Sequence, residues 1–141
     1  MNTAEQSCGA FLDALASKAP VPGGGGASAL AGAPGAAPCT MGCNYTVGKQ
    51  KYAAVEEDVK ALMARAEDLR ARLLGLVDTD AAAFEPLSRA YAIPKEDPSR
   101  GEVMERCLRD AAAAPMEILR LCCEAIDLHS EMLDKGSVMV L

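Results

Sequence analysis

At 141 residues, half of them hydrophobic, the chain is long enough for one domain with a substantial core. A net charge of −6 argues against nucleic-acid binding, which needs a basic face. Abundant Ala and Leu with only 4% aromatics favour helix over sheet.

Thr3 to Gln6 fits a capping box, with Thr3 as N-cap and Gln6 at the third helical position. Cys8, Phe11, Leu12 and Leu15 then share one helical face. This first helix should end before Pro20, because the residue preceding a proline avoids the α region. Pro20 to Gly26 reads as a loop.

From Ala19 to Gly48 no side chain is charged, and Gly, Ala, Ser and Cys dominate. Four consecutive glycines, Gly23 to Gly26, open this stretch, and Lys49 and Lys51 close it. A second helix is expected from about Gly26–Ser28 toward Val47. Pro34 and Pro38 fall inside it, each at a cost of roughly 3 kcal/mol in a helix interior. The pair predicts a kink or interruption between Gly32 and Pro38. Ala27 to Val47 has the length of a membrane span but is too weakly hydrophobic, with one Leu, two prolines and Asn44. Burial between protein helices, with no membrane partner, is the better account.

Tyr52, Val55, Val59, Leu62, Ala66, Leu69, Leu73 and Leu76 follow alternating steps of three and four, a seam of coiled-coil type. Glu56–Lys60 and Asp68–Arg72 form i,i+4 pairs beside it. The same steps reach Asp80, Ala83, Leu87 and Tyr91, so the run from Lys51 to Tyr91 measures about 60 Å if straight. Ala92 to Pro98 is a loop, with Asp97 as N-cap of a fourth helix. That helix carries Met104, Cys107, Ala111, Ala114, Ile118, Leu121, Ala125, Leu128 and Met132 on one face, with a bend at Pro115 and a C-cap at Gly136. The fold expected is all-α, a bundle of long antiparallel helices in a single domain over residues 1–141, with open apolar seams that pair subunits.

Six cysteines without metal-ligand spacing read as free thiols in a reducing cytoplasm, and no secretory leader is evident. Cys39 and Cys43 can share a helical face, but no second Cys or His pair completes a zinc site. Gly42 to Lys49 fails as a nucleotide P-loop, since Gln50 replaces the Ser/Thr and no strand precedes it. His129 at the edge of the last apolar face reads as a packing residue.

Three segments carry a family resemblance. Phe11-Leu12-Asp13-Ala14-Leu15-Ala16-Ser17 leads into Pro20-Val21-Pro22-Gly23-Gly24-Gly25-Gly26-Ala27-Ser28, and Val47-Gly48-Lys49-Gln50-Lys51-Tyr52 follows. With Asp78-Thr79-Asp80-Ala81-Ala82-Ala83-Phe84 and Ala114-Pro115-Met116-Glu117-Ile118, this resembles the formiminotetrahydrofolate cyclodeaminase / methenyltetrahydrofolate cyclohydrolase family over nearly the whole chain. The resemblance implies a homodimer acting on a tetrahydrofolate derivative, without a metal. It also implies a C-terminal Ser-Asp-containing segment and a further helix, so the chain, ending in the apolar run Val138 to Leu141, is expected to be short of that region.

Each candidate residue has a structural alternative. The glycine run, with Pro22, Gly23, Gly24, Gly25 and Ser28, reads as a substrate-binding helix start or as a flexible connector. Lys49 and Lys51 read as receivers of the substrate's glutamate carboxylates and as part of the catalytic set, or as a solvated helix start; Tyr52 beside them can stack. Asp80 is the one charged residue of its seam. It reads as the proton-transfer carboxylate, or as a polar residue fixing helix register. Asp78, about 200° round the helix from it, should face water. The competing functional reading is a non-catalytic helical binding or assembly module, supported by Pro34, Pro38 and the apolar C-terminal end.

Overall fold

The computed structural model describes residues 6–137. Four helices account for most of them: α1 (Cys8–Leu15), α2 (Gly24–Asn44), α3 (Glu56–Tyr91) and α4 (Arg100–Lys135). A 3-10 segment, Gln50–Val55, leads into α3. Among the described residues there is no strand.

The chain runs up α2, down α3 and up α4, so sequential neighbours are antiparallel. Arg65 pairs with Glu131 and Arg72 with Glu117 across the α3–α4 contact. Asp80, late in α3, meets Gly26 at the start of α2. Helices α2 and α4 are consequently parallel, with Cys39 beside Leu128 and Cys43 beside Met132.

Side-chain size sets how these helices meet. The buried face of α2 consists of Gly26, Ala29, Ala33, Ala36, Cys39, Gly42 and Cys43. Such residues let helix axes approach closely. The approach is tight enough that a Cβ on Gly32 would lie 3.0 Å from Cys122 Sγ. Longer side chains on α3 and α4 fill the remaining space. Leu62, Leu69, Leu73, Leu121 and Leu128 are fully buried, each contributing about 1.5–3 kcal/mol of transfer free energy. A smaller cluster of Leu87, Ala90 and Cys107 closes the α3–α4 hairpin where it extends past the start of α2.

The expected seams form, with a drift along α3. Val59, Leu62, Ala66, Leu69 and Leu73 are buried as the spacing predicts, but Val77 replaces Leu76 and Ala90 replaces Tyr91. An α-helix turns every 3.6 residues, so a 3.5-residue pattern slips round a 36-residue helix. The ion pairs Glu56–Lys60 and Asp68–Arg72 form, at 2.9 and 3.4 Å.

Several local expectations are corrected. Thr3 lies outside the described residues. Gln6 precedes α1 instead of occupying its first turn, and Ser7 is the N-cap, its hydroxyl accepting the Ala10 amide at 3.2 Å. Helix α4 begins two residues later than expected, because Asp97 folds back to accept the amide and hydroxyl of Ser99. Gly136 caps α4 as expected, its amide donating to Met132 O.

The largest correction concerns α2, which is not interrupted and runs as one helix through Pro34 and Pro38. Both prolines lie on its exposed face, while Ala33 and Ala36 beside them are buried. Packing of the opposite face offsets the lost hydrogen bonds, and water can reach the exposed side. An interrupted α2 is therefore not available as support for a non-catalytic module. Pro115 likewise lies within a continuous α4.

Candidate functional site

The site grows from the start of α2. Gly23 is its N-cap and offers no side chain to the first free amides. Asp80 supplies what Gly23 lacks: its Oδ2 accepts the Gly26 amide at 2.9 Å. A carboxylate at a helix N-terminus is favoured by the helix dipole and by the unpaired N–H groups there. The chain's own carboxylate thus takes the position that a bound anion takes in a phosphate-binding turn.

This contact explains one glycine of the run. A Cβ on Gly25 would overlap the Asp80 carboxylate, whereas a Cβ on Gly24 would meet nothing within 4 Å. Gly25 is required for the close approach of α3's side chain to α2's backbone.

Asp80 lines a cleft of about 290 Å³ between this turn and α4. Gly23, Gly24 and Gly25 form one wall, Phe84 extends the α3 side, and Ala111 and Pro115 form the α4 side. A second cleft of about 350 Å³, reaching Ser28 and Cys122, shares Gly24, Gly25 and Pro115 with the first. The other side of the loop carries a third, about 520 Å³, lined by Pro22, Asp78, Ala81 and Glu85. Asp78 is half-buried against this cleft and does not simply face water.

The structure therefore brings Pro22, Gly23, Gly24, Gly25, Ser28 and Asp80 together around one turn. Lys49, Lys51 and Tyr52 lie past the opposite end of α2, whose 21 residues span about 30 Å. Within one chain they do not join Asp80. There each lysine sits over a ring, Lys49 Nζ 5.7 Å from the Tyr45 centroid and Lys51 Nζ 5.3 Å from that of Tyr52. His129 Nδ1 lies 2.7 Å from the Ala125 carbonyl oxygen, which suits a packing role. Among the described residues no group of three or more His, Cys, Asp or Glu is placed to hold a metal, and no helix is long and apolar enough to cross a membrane.

Sequence reasoning missed Gly26 as the donor to Asp80, and Phe84 and Ala111 as cleft walls. No local spacing rule connects Gly26 to Asp80. Phe84 was within reach, since it stands one turn beyond Asp80 on the same helix face.

Comparisons with known proteins agree with this arrangement. A sequence model of the formiminotransferase-cyclodeaminase family matches residues 7–141. A methenyltetrahydrofolate cyclohydrolase of Methylorubrum extorquens is 43% identical over 135 residues, covering 93% of this chain and 65% of the relative. The formimidoyltransferase-cyclodeaminase of Sus scrofa is 30% identical over 112 residues, covering 77% of this chain and 21% of that protein. A crystal structure of formiminotetrahydrofolate cyclodeaminase from Thermotoga maritima superposes with a TM-score of 0.86 at 26% identity, covering 97% of this chain and 66% of that one. The chain thus spans about two thirds of the length of the cyclohydrolase and of the solved cyclodeaminase. With the match running from the first helix to the last residue, this chain belongs to the formiminotransferase-cyclodeaminase family.

Proposed function

We propose that this protein acts in one-carbon metabolism on a tetrahydrofolate derivative. Its reaction is hydrolysis of the 5,10-methenyl compound to the 10-formyl compound, or cyclising deamination of the 5-formimino compound to the methenyl form. In the first, water adds to the methenyl carbon and gives up both its protons, one to N5 as the C–N5 bond breaks and one to solvent. In the second, N10 attacks the formimino carbon, its proton passes to the former imino nitrogen, and the bond from carbon to that nitrogen breaks to release ammonia. Both reactions pass through a tetrahedral carbon between nitrogens, and both start from a delocalised cation. They call for a carboxylate beside that carbon to offset the charge and relay the proton.

The observation that carries this reading is Asp80, held by the Gly26 amide at the edge of a cleft with otherwise uncharged lining side chains. Because a carboxylate already sits at the α2 N-terminus, the polyanionic tail of a folate belongs elsewhere. Lys49 and Lys51 are suited to it by charge. At about 30 Å from Asp80 within one chain, they serve this site from a second copy. The homodimer this requires has support on α4, where Met116, Leu119, Ile126 and Leu133 are exposed along one face. The six thiols of the chain suit a reducing compartment such as the cytoplasm.

Calorimetric titration with 5-formyltetrahydrofolate, a stable analogue of both substrates, tests the reading. Saturable binding that weakens when Lys49 and Lys51 are both replaced by Ala is expected. No binding at millimolar ligand would remove the folate assignment.

A further inference from the structure

We infer that Pro115 turns the Ala111 carbonyl into a second hydrogen-bond acceptor of the Asp80 cleft, and that the pair selects an N–H-bearing formimino cation over a methenyl bridge. This rests on the folate reading above and concerns which of its two reactions the cleft favours.

Pro115 lies in the interior of α4, where each carbonyl normally accepts the amide four residues ahead. Proline has no N–H, so the Ala111 carbonyl lacks that donor. A main-chain acceptor without its helical partner is satisfied by water or by a ligand. Ala111 and Pro115 are one turn apart, and both line the cleft that Asp80 lines. The proline is thus placed where the acceptor it releases belongs to the site. Pro34 differs: it lines neither this cleft nor its neighbour.

The rest of the lining sharpens the selectivity. Apart from Asp80, the side chains are those of Gly, Pro, Val, Phe and Ala, none of which donates a hydrogen bond or carries charge. The side-chain field is therefore negative, and the cleft pairs a carboxylate with a released carbonyl. A protonated formimino group is an amidinium, positively charged with N–H bonds that two acceptors can share. A methenyl bridge carries the same charge but presents only C–H at its carbon, between two fully substituted nitrogens. Asp80 attracts both cations. The Ala111 carbonyl distinguishes them.

Pro115→Ala tests this, because it returns an N–H to Ala111 without altering any lining side chain except the proline itself. Three quantities decide: kcat/KM for 5-formiminotetrahydrofolate, the competitive Ki of 5-formyltetrahydrofolate, and the melting temperature. The formyl compound has no N–H at the discriminating position. The expected result is a fall in kcat/KM of about tenfold, the scale of one hydrogen bond to a charged group. Ki should be unchanged or tighter. The melting temperature should rise, because a mid-helix proline is removed. Stability and activity moving in opposite directions is something a merely structural proline would not produce. Pro34→Ala, the control, should leave both kinetic constants unchanged.

A parallel loss of kcat/KM and formyl binding in Pro115→Ala would overturn the inference in favour of general distortion. So would an unchanged kcat/KM. So would a wild-type protein that binds the formyl compound but does not turn over the formimino compound; the folate reading would survive that result. Absence of both binding and turnover in the wild type would remove the two together.

Discussion

Asp80 of α3 and Gly26 of α2 stand 54 residues apart in the chain and are joined by a 2.9 Å hydrogen bond from the Gly26 amide to Oδ2. The contact ties the working end of α3 to the first turn of α2. It also orients the carboxylate, since one oxygen is held by the amide while the neighbouring Gly25 leaves room for the other.

Gly25→Ala should disable the site without unfolding it. The added methyl overlaps the carboxylate, so Asp80 must swing away from Gly26. A misplacement near 1 Å can cost about 10²-fold in rate. Alanine is the better helix former by about 1 kcal/mol, which limits the loss of stability. Gly35→Ala, with nothing within 4 Å of the new methyl and lining none of the clefts, should retain activity and stability. Steady-state turnover and thermal melts of the pair would decide, and equal activity in the two variants would detach Gly25 from Asp80's function.

Asp80→Asn keeps the shape and the acceptor oxygen for Gly26 but removes charge and proton transfer. Turnover should fall by the ~10²–10⁴ typical of a lost acid–base group. Stability should fall by only about 0.3–1 kcal/mol, the usual worth of a charge at a helix N-terminus. Asp78 is not a neutral control, because it lines the adjacent cleft. Asp68→Asn is a better one: it is exposed and about three turns up α3. Equal turnover in wild type and Asp80→Asn would end the catalytic assignment.

What could be read from the sequence follows from how locally each feature is encoded. The faces of α3 and α4 were legible because Leu62, Leu69, Leu73 and Leu121, Leu128, Met132 recur at helical spacing and are buried. The course of α2 was not. Two prolines predict a break from local cost alone, and only the packing of Ala29, Ala33 and Ala36 shows what holds the helix together. Helix starts were misplaced where several residues can cap, as with Thr3 expected and Ser7 found, and Asp97 expected and Ser99 found. The glycine run and Asp80 each stood out singly, but their contact is tertiary and leaves no spacing signature.

Acid should weaken the α3–α4 contact through Glu117. The Arg120 guanidinium, with Arg72 as second partner, holds this carboxyl down at about 2 against an ordinary 4.5. A carboxyl depressed on folding contributes stability that is fully present above its unfolded value and is lost as pH falls toward its folded value. The contribution of Glu117 should therefore decline between about 4.5 and about 2. Melting temperatures of wild type and Glu117→Gln should differ most near neutral pH and converge across that window. A gap that stays constant to pH 2 would show that the ion pairs do not stabilise the fold, a result common for exposed pairs.

The thiols should separate by burial. Cys8 and Cys123 are exposed, whereas Cys39, Cys43 and Cys107 are buried. Burial also pushes the Cys43 thiol up to about 11 and raises that of Cys39, so at neutral pH neither supplies appreciable thiolate. Treatment of the native protein at pH 7.5–8 with a disulfide-exchange reagent, about a pH unit below an ordinary thiol pKa, should modify Cys8 rapidly. Cys39 and Cys43 should react only after denaturant is added. Rapid native-state labelling of Cys43, located by peptide mass mapping, would mean that α2 and α4 part readily near Met132.

The apolar face of α4 offers the last prediction. Met116, Leu119, Cys123, Ile126 and Leu133 lie in the three–four rhythm that packs one helix along another, and all five are exposed. Solvent exposure of Ile126 and Met116 reaches 67% and 64%, high for side chains of that size. A contiguous apolar stripe on a folded surface marks an interaction face. The proposed dimer uses it, and only a dimer brings Lys49 and Lys51 of one copy toward Asp80 of another. Ile126→Glu with Leu119→Glu should halve the mass seen by analytical ultracentrifugation. The melt of the single chain should change little, because neither side chain is in the core. Turnover should fall with the dimer, and mixing this variant with excess Asp80→Asn protein should not restore it. A double variant that remains dimeric would place the subunit contact on another face, and a monomer with full turnover would confine the active site to one chain.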